Sequence, residues 1–375
     1  MKIIVTLLSI CCSVQLYAMS NAFTLYTKLD MTNNLVVNMG HCTNALDGAN
    51  KQYVDGITNA FYSTFAAKSY VHSYVDSIYS HPNARWVNKS STASKTNGMF
   101  NTPYVSIFDA VTNAPDGGIV FVMPGTYIER WNDVDSGGVG YVLEKSLTIK
   151  GFDKNKTTLV NVGTRGMIYC NSASASLFLY GMTITSSNIL TGVGGALYFV
   201  NVSKVVVENC IFESCFASNA AGQAIGGAIR SRITEDVVVR NCEFRNCSVN
   251  LGNGGATAYV TNIYNSLFVN CRAGFGGAVY GSRSVYDCVI QDCYALFDGG
   301  GLYGGSVGES ICYLSTIENC ISGRSGGSSS GFDLKLCNIK AIGPSPFDSN
   351  TGGFQTVYVI GCTTNNGFVA ETYWP

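Results

Sequence analysis

The chain has 375 residues, a net charge of −1 and 13% charged residues, and it shows no basic stripe, which argues against nucleic acid as a partner. Forty-two glycines stand against seven prolines. With many Val, Tyr, Phe and Thr, that balance favours strands and tight turns over helices. No apolar run of about 20 residues comes after the N-terminal segment, so no transmembrane span is expected in the mature chain.

Residues 1–22 read as a secretory signal peptide. Lys2 supplies a positive start, residues 3–14 a short apolar core, and Leu16-Tyr17-Ala18 or Ser20-Asn21-Ala22 a small-residue cleavage site. Residues 23–95 read as a stalk-like helical segment and linker. Val54, Phe61, Lys68 and Val75 recur every seven residues, and Ile57, Thr64, Val71 and Ile78 come three residues after each. That spacing predicts either an oligomerising helix, with residues 51–79 forming a homotrimer, or an amphipathic helix laid on the first coil of the C-terminal region. Residues 88–97 are nearly all Ser, Thr, Lys and Asn and read as a linker.

From residue 96 to 375 the pattern changes. A short helix over 105–114, with Ile107, Ala110 and Val111 on one face, precedes the turn Pro115-Asp116-Gly117-Gly118 and a strand ending at Pro124-Gly125-Thr126-Tyr127. One unit then returns four times. Its first half is a Gly-Gly-Ala start at Gly194, Gly226, Gly254 and Gly276; its second is Asn209-Cys210-Ile211-Phe212, Asn241-Cys242-Glu243-Phe244 and looser copies at Asn265 and Asp287. Self-similarity at this period marks a solenoid, built from coils that each contact only their neighbours.

A physical test of that architecture lies at the bend before the second half. Gly181, Asn209, Asn241, Asn265, Asp287 and Gly361 form a column of residues that tolerate a left-handed backbone. Leu314 and Leu336 interrupt the column, so different turns are expected there. Behind it lie two cysteine columns, one with Cys210, Cys242, Cys288, Cys337 and Cys362, the other with Cys215, Cys247, Cys271, Cys293 and Cys320. They are either stacked disulfides or interior ladders of free thiols, the second being favoured. No Cys-x-x-Cys pair occurs and no histidine lies beyond His81, so no metal and no cofactor are expected.

These residues carry three resemblances. Leu29-Asp30-Met31 through Ala49-Asn50-Lys51-Gln52-Tyr53-Val54-Asp55 resembles the stalk repeat of phage tail fibres. The helix, strand and Pro-Gly-Thr-Tyr order resembles the opening of right-handed parallel β-helix proteins of the pectate-lyase-like superfamily, in which the helix caps the solenoid. The Gly-Gly-Ala and Phe-x-x-Cys elements resemble the repeats of polymorphic outer membrane proteins and related β-helix adhesins, with cysteine where that family has asparagine. The resemblances imply an all-β, right-handed parallel β-helix solenoid with a short N-terminal helical stalk or cap. They also imply a secreted or cell-surface protein rather than a self-transporting one, because the repeats are not succeeded by a series of alternating ten-residue strands.

Two kinds of site are in play. Tyr198, Arg230, Tyr280 and Tyr303 each lie four residues after the first glycine of their repeat. Facing out, they make a ledge for glycans or cell-surface proteins; facing in, they are a core ladder. For a polysaccharide-cleaving enzyme, the nearest approach to an acid cluster is Asp287, Asp292 and Asp298 with Arg272 or Arg283. Asp287 already belongs to the turn column, and Asp292 and Asp298 are expected at solvated coil edges. The hydrolase segments Asn-Thr-Asp, Asp-Asp, Gly-His-Gly and Arg-x-Lys are all missing. The reading is therefore a non-catalytic adhesin-like protein, with a lyase or tailspike-like glycosidase and a structural fibre component as alternatives.

Overall fold

The structure, a computed structural model, describes residues 81–374 apart from 93–95, 132–139, 187–188, 191–192, 220–223, 233–234, 306–309, 325, 341–346, 349–356 and 365–366. The chain divides into two compact units, Met1–Tyr70 and Val71–Pro375, and the described residues all belong to the second. The signal peptide and the heptads of residues 51–79 lie outside the described residues.

The second unit is the parallel β-helix that the repeat predicts. One 28-stranded sheet runs along the coils, and a separate five-stranded sheet lines part of one side. The first rung described, β1 (Ala84–Val87), pairs in parallel with β2 (Gly118–Val122), upstream of the boundary expected at residue 96. Each coil then repeats the same strands. Val207 pairs with Val239, Val239 with Ile263 and Ile263 with Val285 on one side. Around the bend, Phe212 pairs with Phe244 and Phe244 with Phe268.

Alternation along each strand decides the core. Val207, Val239, Ile263 and Val285 are fully buried, as are Phe212, Phe244 and Phe268. The three phenylalanine rings stack at 4.9 and 4.8 Å with interplanar angles of 4°. That distance is the natural spacing of neighbouring strands, so identical residues one coil apart fall into ring contact without rotamer strain.

The bend is where backbone conformation is specified. Asn209, Asn241, Asn265 and Asp287 all have φ between 45° and 54°, and Gly181 has φ 73°. Leu314 and Leu336, expected to turn differently, do not: their φ values are 50° and 54°. The bend is imposed by the coils above and below, whose ladder bonds fix where each chain must turn, for example from Leu314 N to the Lys335 carbonyl. Both leucines are nearly half exposed and carry the left-handed backbone at a steric cost. Gly361 lies within the strand Val357–Thr364. A second left-handed column, unread in the sequence, runs through Ser214, Asn246, Asn270, Asp292 and Asn319 just before the second cysteine column.

The Gly-Gly-Ala start has a separate cause for each residue. The first glycine has positive φ, for instance 69° at Gly254. The second permits close approach: a Cβ on Gly255 would lie 2.0 Å from the Gly277 carbonyl oxygen of the next coil and 2.6 Å from Arg272 N. The alanine is buried in all four copies.

The described cysteines are all buried and unbridged. Each thiol of the two columns donates back to a carbonyl: Cys242 Sγ to the Val207 oxygen at 3.5 Å, Cys247 Sγ to that of Phe212 at 3.4 Å, Cys271 Sγ to that of Phe244 at 3.6 Å. Ser266 and Ser315 fill the same column and bond to carbonyls two residues back, at 2.7 and 2.9 Å. From Cys210 onward the column thus holds small side chains whose donor proton finds a carbonyl, so cysteine and serine both fit there, while Met182 fills the preceding place.

The described opening of the stack carries the helix expected from the sequence. This helix, α1 (Ile107–Asn113), buries Ile107, Ala110 and Val111. The Glu129 carboxylate accepts from Ile107 N at 2.6 Å and Phe108 N at 2.9 Å, and Ser106 Oγ accepts from Asp109 N at 3.1 Å. Lys145 Nζ donates to the Thr112 and Ala114 carbonyls at 2.9 and 2.5 Å. The orphan groups of both helix ends are thus held by neighbouring strands. At the other end, Val357–Thr364 and Gly367–Trp374 form the one antiparallel pair among the described strands, which ends the parallel ladder.

Candidate functional site

The tyrosine and arginine row predicted from the repeat lies on the outside of the Gly-Gly-Ala strands. Leu197, Ile229, Val279 and Leu302 point inward and are fully buried, so their successors Tyr198, Arg230, Tyr280 and Tyr303 point away from the core. Register joins them in two pairs: Tyr198 beside Arg230, and Tyr280 beside Tyr303. Buried Ala258 sits between the pairs. The ledge is thus outward but divided.

Its ring faces are largely occupied by one another. Tyr169 stacks on Tyr198 at 5.1 Å, the Arg230 guanidinium lies 4.7 Å over the Tyr198 ring, and Tyr280 stacks on Tyr303 at 5.3 Å. Tyr259 meets Tyr280 edge-on at 5.2 Å, and Phe275 lies 5.3 Å from Tyr303. Partial burial raises the Tyr280 and Tyr303 phenols above their ordinary value and lowers the Arg230 guanidinium. Tyr280 and Tyr303 thus present half-buried ring edges and neutral phenol hydroxyls.

The acids considered for catalysis do not converge. Asp287 has φ 52° and Asp292 φ 55°, each in its own turn column. Asp298 is not at a solvated edge: its side chain is 1% exposed and is held by Arg324, whose Nε donates to Oδ1 at 2.9 Å while Nη2 contacts Oδ2. That arginine also lies over the Phe275 and Phe297 rings. Arg283 is exposed. Among the described residues, no group of three or more His, Cys, Asp or Glu is placed to hold a metal ion, and no helix is long and apolar enough to cross a membrane.

Two grooves run along the left-handed columns. One, of about 430 Å³, passes Asn209, Asn241, Asn265 and Asp287. The ion pair of Lys154 with Glu243 at 2.7 Å contributes to its lining. The other, of about 480 Å³, is lined by Asn270, Arg272, Asp292, Tyr294, Asn319 and Ile321 on the five-stranded sheet. Arg272 and Tyr294 are exposed neighbours in register, as are Tyr294 and Ile321. Of this set the sequence singles out Arg272 and Asp292 but not Tyr294. A signal for it is present, because Phe216, Ser248, Arg272, Tyr294 and Ile321 each come directly after a cysteine of the second column. Strands of two residues are too short to show a period-two pattern.

No family model and no curated protein matches the chain. A solved structure similar to it is a pectin methylesterase mutant in complex with a hexasaccharide. It is 14% identical, spans 77% of this chain and 84% of its own, and has a TM-score of 0.26; at that distance it bears on neither site nor activity.

Proposed function

We propose that this is a non-catalytic, adhesin-like protein, exported to the cell surface or beyond, which presents a rigid solenoid face to glycans or cell-surface partners. The observation supporting this reading is the outward placement of Tyr198, Arg230, Tyr280 and Tyr303 on a scaffold whose ladder fixes their positions. A preordered surface loses little conformational entropy when it binds. The acid pair that glycoside hydrolysis requires is not favoured by Asp287, Asp292 and Asp298, each of which already has a structural task. In this reading residues 51–79 join copies of the chain into a trimer, which would multiply weak contacts into avidity.

The test incubates the purified mature chain with acidic and neutral polysaccharides, with and without calcium, and monitors retention and chain cleavage. Retention without cleavage is expected. Cleavage of any member would overturn the non-catalytic reading, and the absence of retention on every member would remove glycans as the partner.

A further inference from the structure

We infer that the groove on the five-stranded sheet, around Arg272 and Tyr294, is a binding site for a neutral, hydroxyl-rich sugar chain. This rests on the glycan-binding reading above but assigns the contact to a different face from the tyrosine ledge. The first ground is the state of the aromatic ring. Tyr294 is 37% exposed and, unlike Tyr198, Tyr280 and Tyr303, has no ring or cation partner among the described residues. Its exposed part is available to the apolar face of a pyranose, with Arg272 and Ile321 beside it in register.

The second ground is a break in a hydrogen-bonded ladder. Along the left-handed column, Asn246 Nδ2 donates to Glu213 Oε1 at 2.9 Å, and Asn270 Nδ2 donates to Asn246 Oδ1 at 2.7 Å. Further along, Asn319 Nδ2 donates to Asp292 Oδ1 at 3.1 Å. Between Asn270 and Asp292, on adjacent coils, no such bond occurs among the described residues. The Asn270 carbonyl oxygen and the second Asp292 carboxylate oxygen both remain as acceptors there. Acceptors on adjacent coils that no protein donor occupies can take hydrogen bonds from the hydroxyl groups of a ligand.

The third ground is charge. The Arg272 guanidinium, exposed and in no ion pair among the described residues, supplies donors beside these acceptors. One cation and one carboxylate leave the groove neutral, so it matches a ligand that both donates and accepts and carries no charge of its own. An acidic chain would meet the Asp292 carboxylate unfavourably. Side chains in this row recur once per coil, about every 4.8 Å, so a linear chain lying along the solenoid axis meets Arg272, Tyr294 and Ile321 in turn.

The experiment measures binding of cello-, malto- and manno-oligosaccharides, and of an oligogalacturonate as the acidic comparison, to the mature chain by calorimetry. The variants are Tyr294→Ala, Arg272→Ala and Asp292→Asn; asparagine at 292 keeps a residue suited to the turn. Binding of a neutral oligosaccharide is expected, weakened about tenfold or more by each variant, while Ile128→Ala, at an exposed position outside both faces, leaves it unchanged. Circular dichroism of each variant should match the parent. If a neutral sugar binds but only Tyr280→Ala weakens it, the assignment to this groove fails while glycan binding stands. Tighter binding of the acidic oligomer would overturn the neutral-ligand assignment. No binding of any oligomer would remove the inference together with the reading on which it rests.

Discussion

At Asn241 the backbone sits at φ 54°, a region where a Cβ crowds the next carbonyl by about 1–2 kcal/mol for ordinary residues and less for Asn. Replacing Asn241 by valine adds β-branching at that position. It should cost about that amount, read as a lower denaturant midpoint with an unchanged slope. Leu314 provides the converse test, because it adopts φ 50° with its side chain 45% exposed. Leu314→Asn should therefore raise the midpoint, and a fall would mean that the leucine side chain stabilises the coil by a contact outweighing its backbone strain. This pair also separates what is legible in the sequence from what is not. Asn, Asp and Gly announce a left-handed residue, so the column from Gly181 to Asp287 is visible. Leucine announces nothing, since the conformation at Leu314 is set by bonds from neighbouring coils. The second column is hidden for a different reason: its asparagines and aspartate stand beside cysteines whose spacing is the stronger signal.

The strands and turns of each coil are held by elements whose tolerance is easily predicted. Burial pushes the Cys170 thiol from 9.0 up to about 11 and the Cys288 thiol up to about 12. Burial likewise holds Cys242, Cys247, Cys271 and Cys293 well above the ordinary value. A thiol whose folded pKa exceeds its unfolded value contributes stability that is fully present below pH 9 and is lost as pH rises through the folded pKa. The melting temperature should therefore fall progressively from pH 9 to 12. At pH 8 the native chain should resist iodoacetamide and react fully once unfolded, because only the thiolate attacks. Prompt alkylation of the folded chain at Cys247 or Cys271, read by mass spectrometry, would contradict the buried ladder. The glycine turn is less forgiving. Gly255→Ala places a methyl 2.0 Å from the Gly277 carbonyl, with backbone on each side and no side chain to move. A loss of about 3 kcal/mol is expected in equilibrium unfolding. The motif is legible in the sequence as a repeat, but its second glycine is explained only when the two coils are placed together.

Across the described coils of the second unit, each coil bonds only to its neighbours, α1 lies at the opening and an antiparallel pair follows the last parallel rung. Stability in such a stack is nearly a sum of coil and interface terms, so damage should remain local before it becomes global. Phe244 is the place to test this, because its ring lies in the middle of the three-ring stack, fully buried. Phe244→Ala removes ring contacts with two coils at once and leaves a cavity between rigid ladders that cannot collapse onto it, at a cost of about 3–5 kcal/mol. Hydrogen exchange should then show the largest loss of protection at Phe212 and Phe268 and along their strands. The capped opening around Ile149 and Leu159 should change least. Uniform loss of protection from end to end would mean that the coils unfold as a single cooperative block. In that case the rigid face on which the binding proposals depend would be a property of the entire stack rather than of the coils that carry Tyr280 or Tyr294.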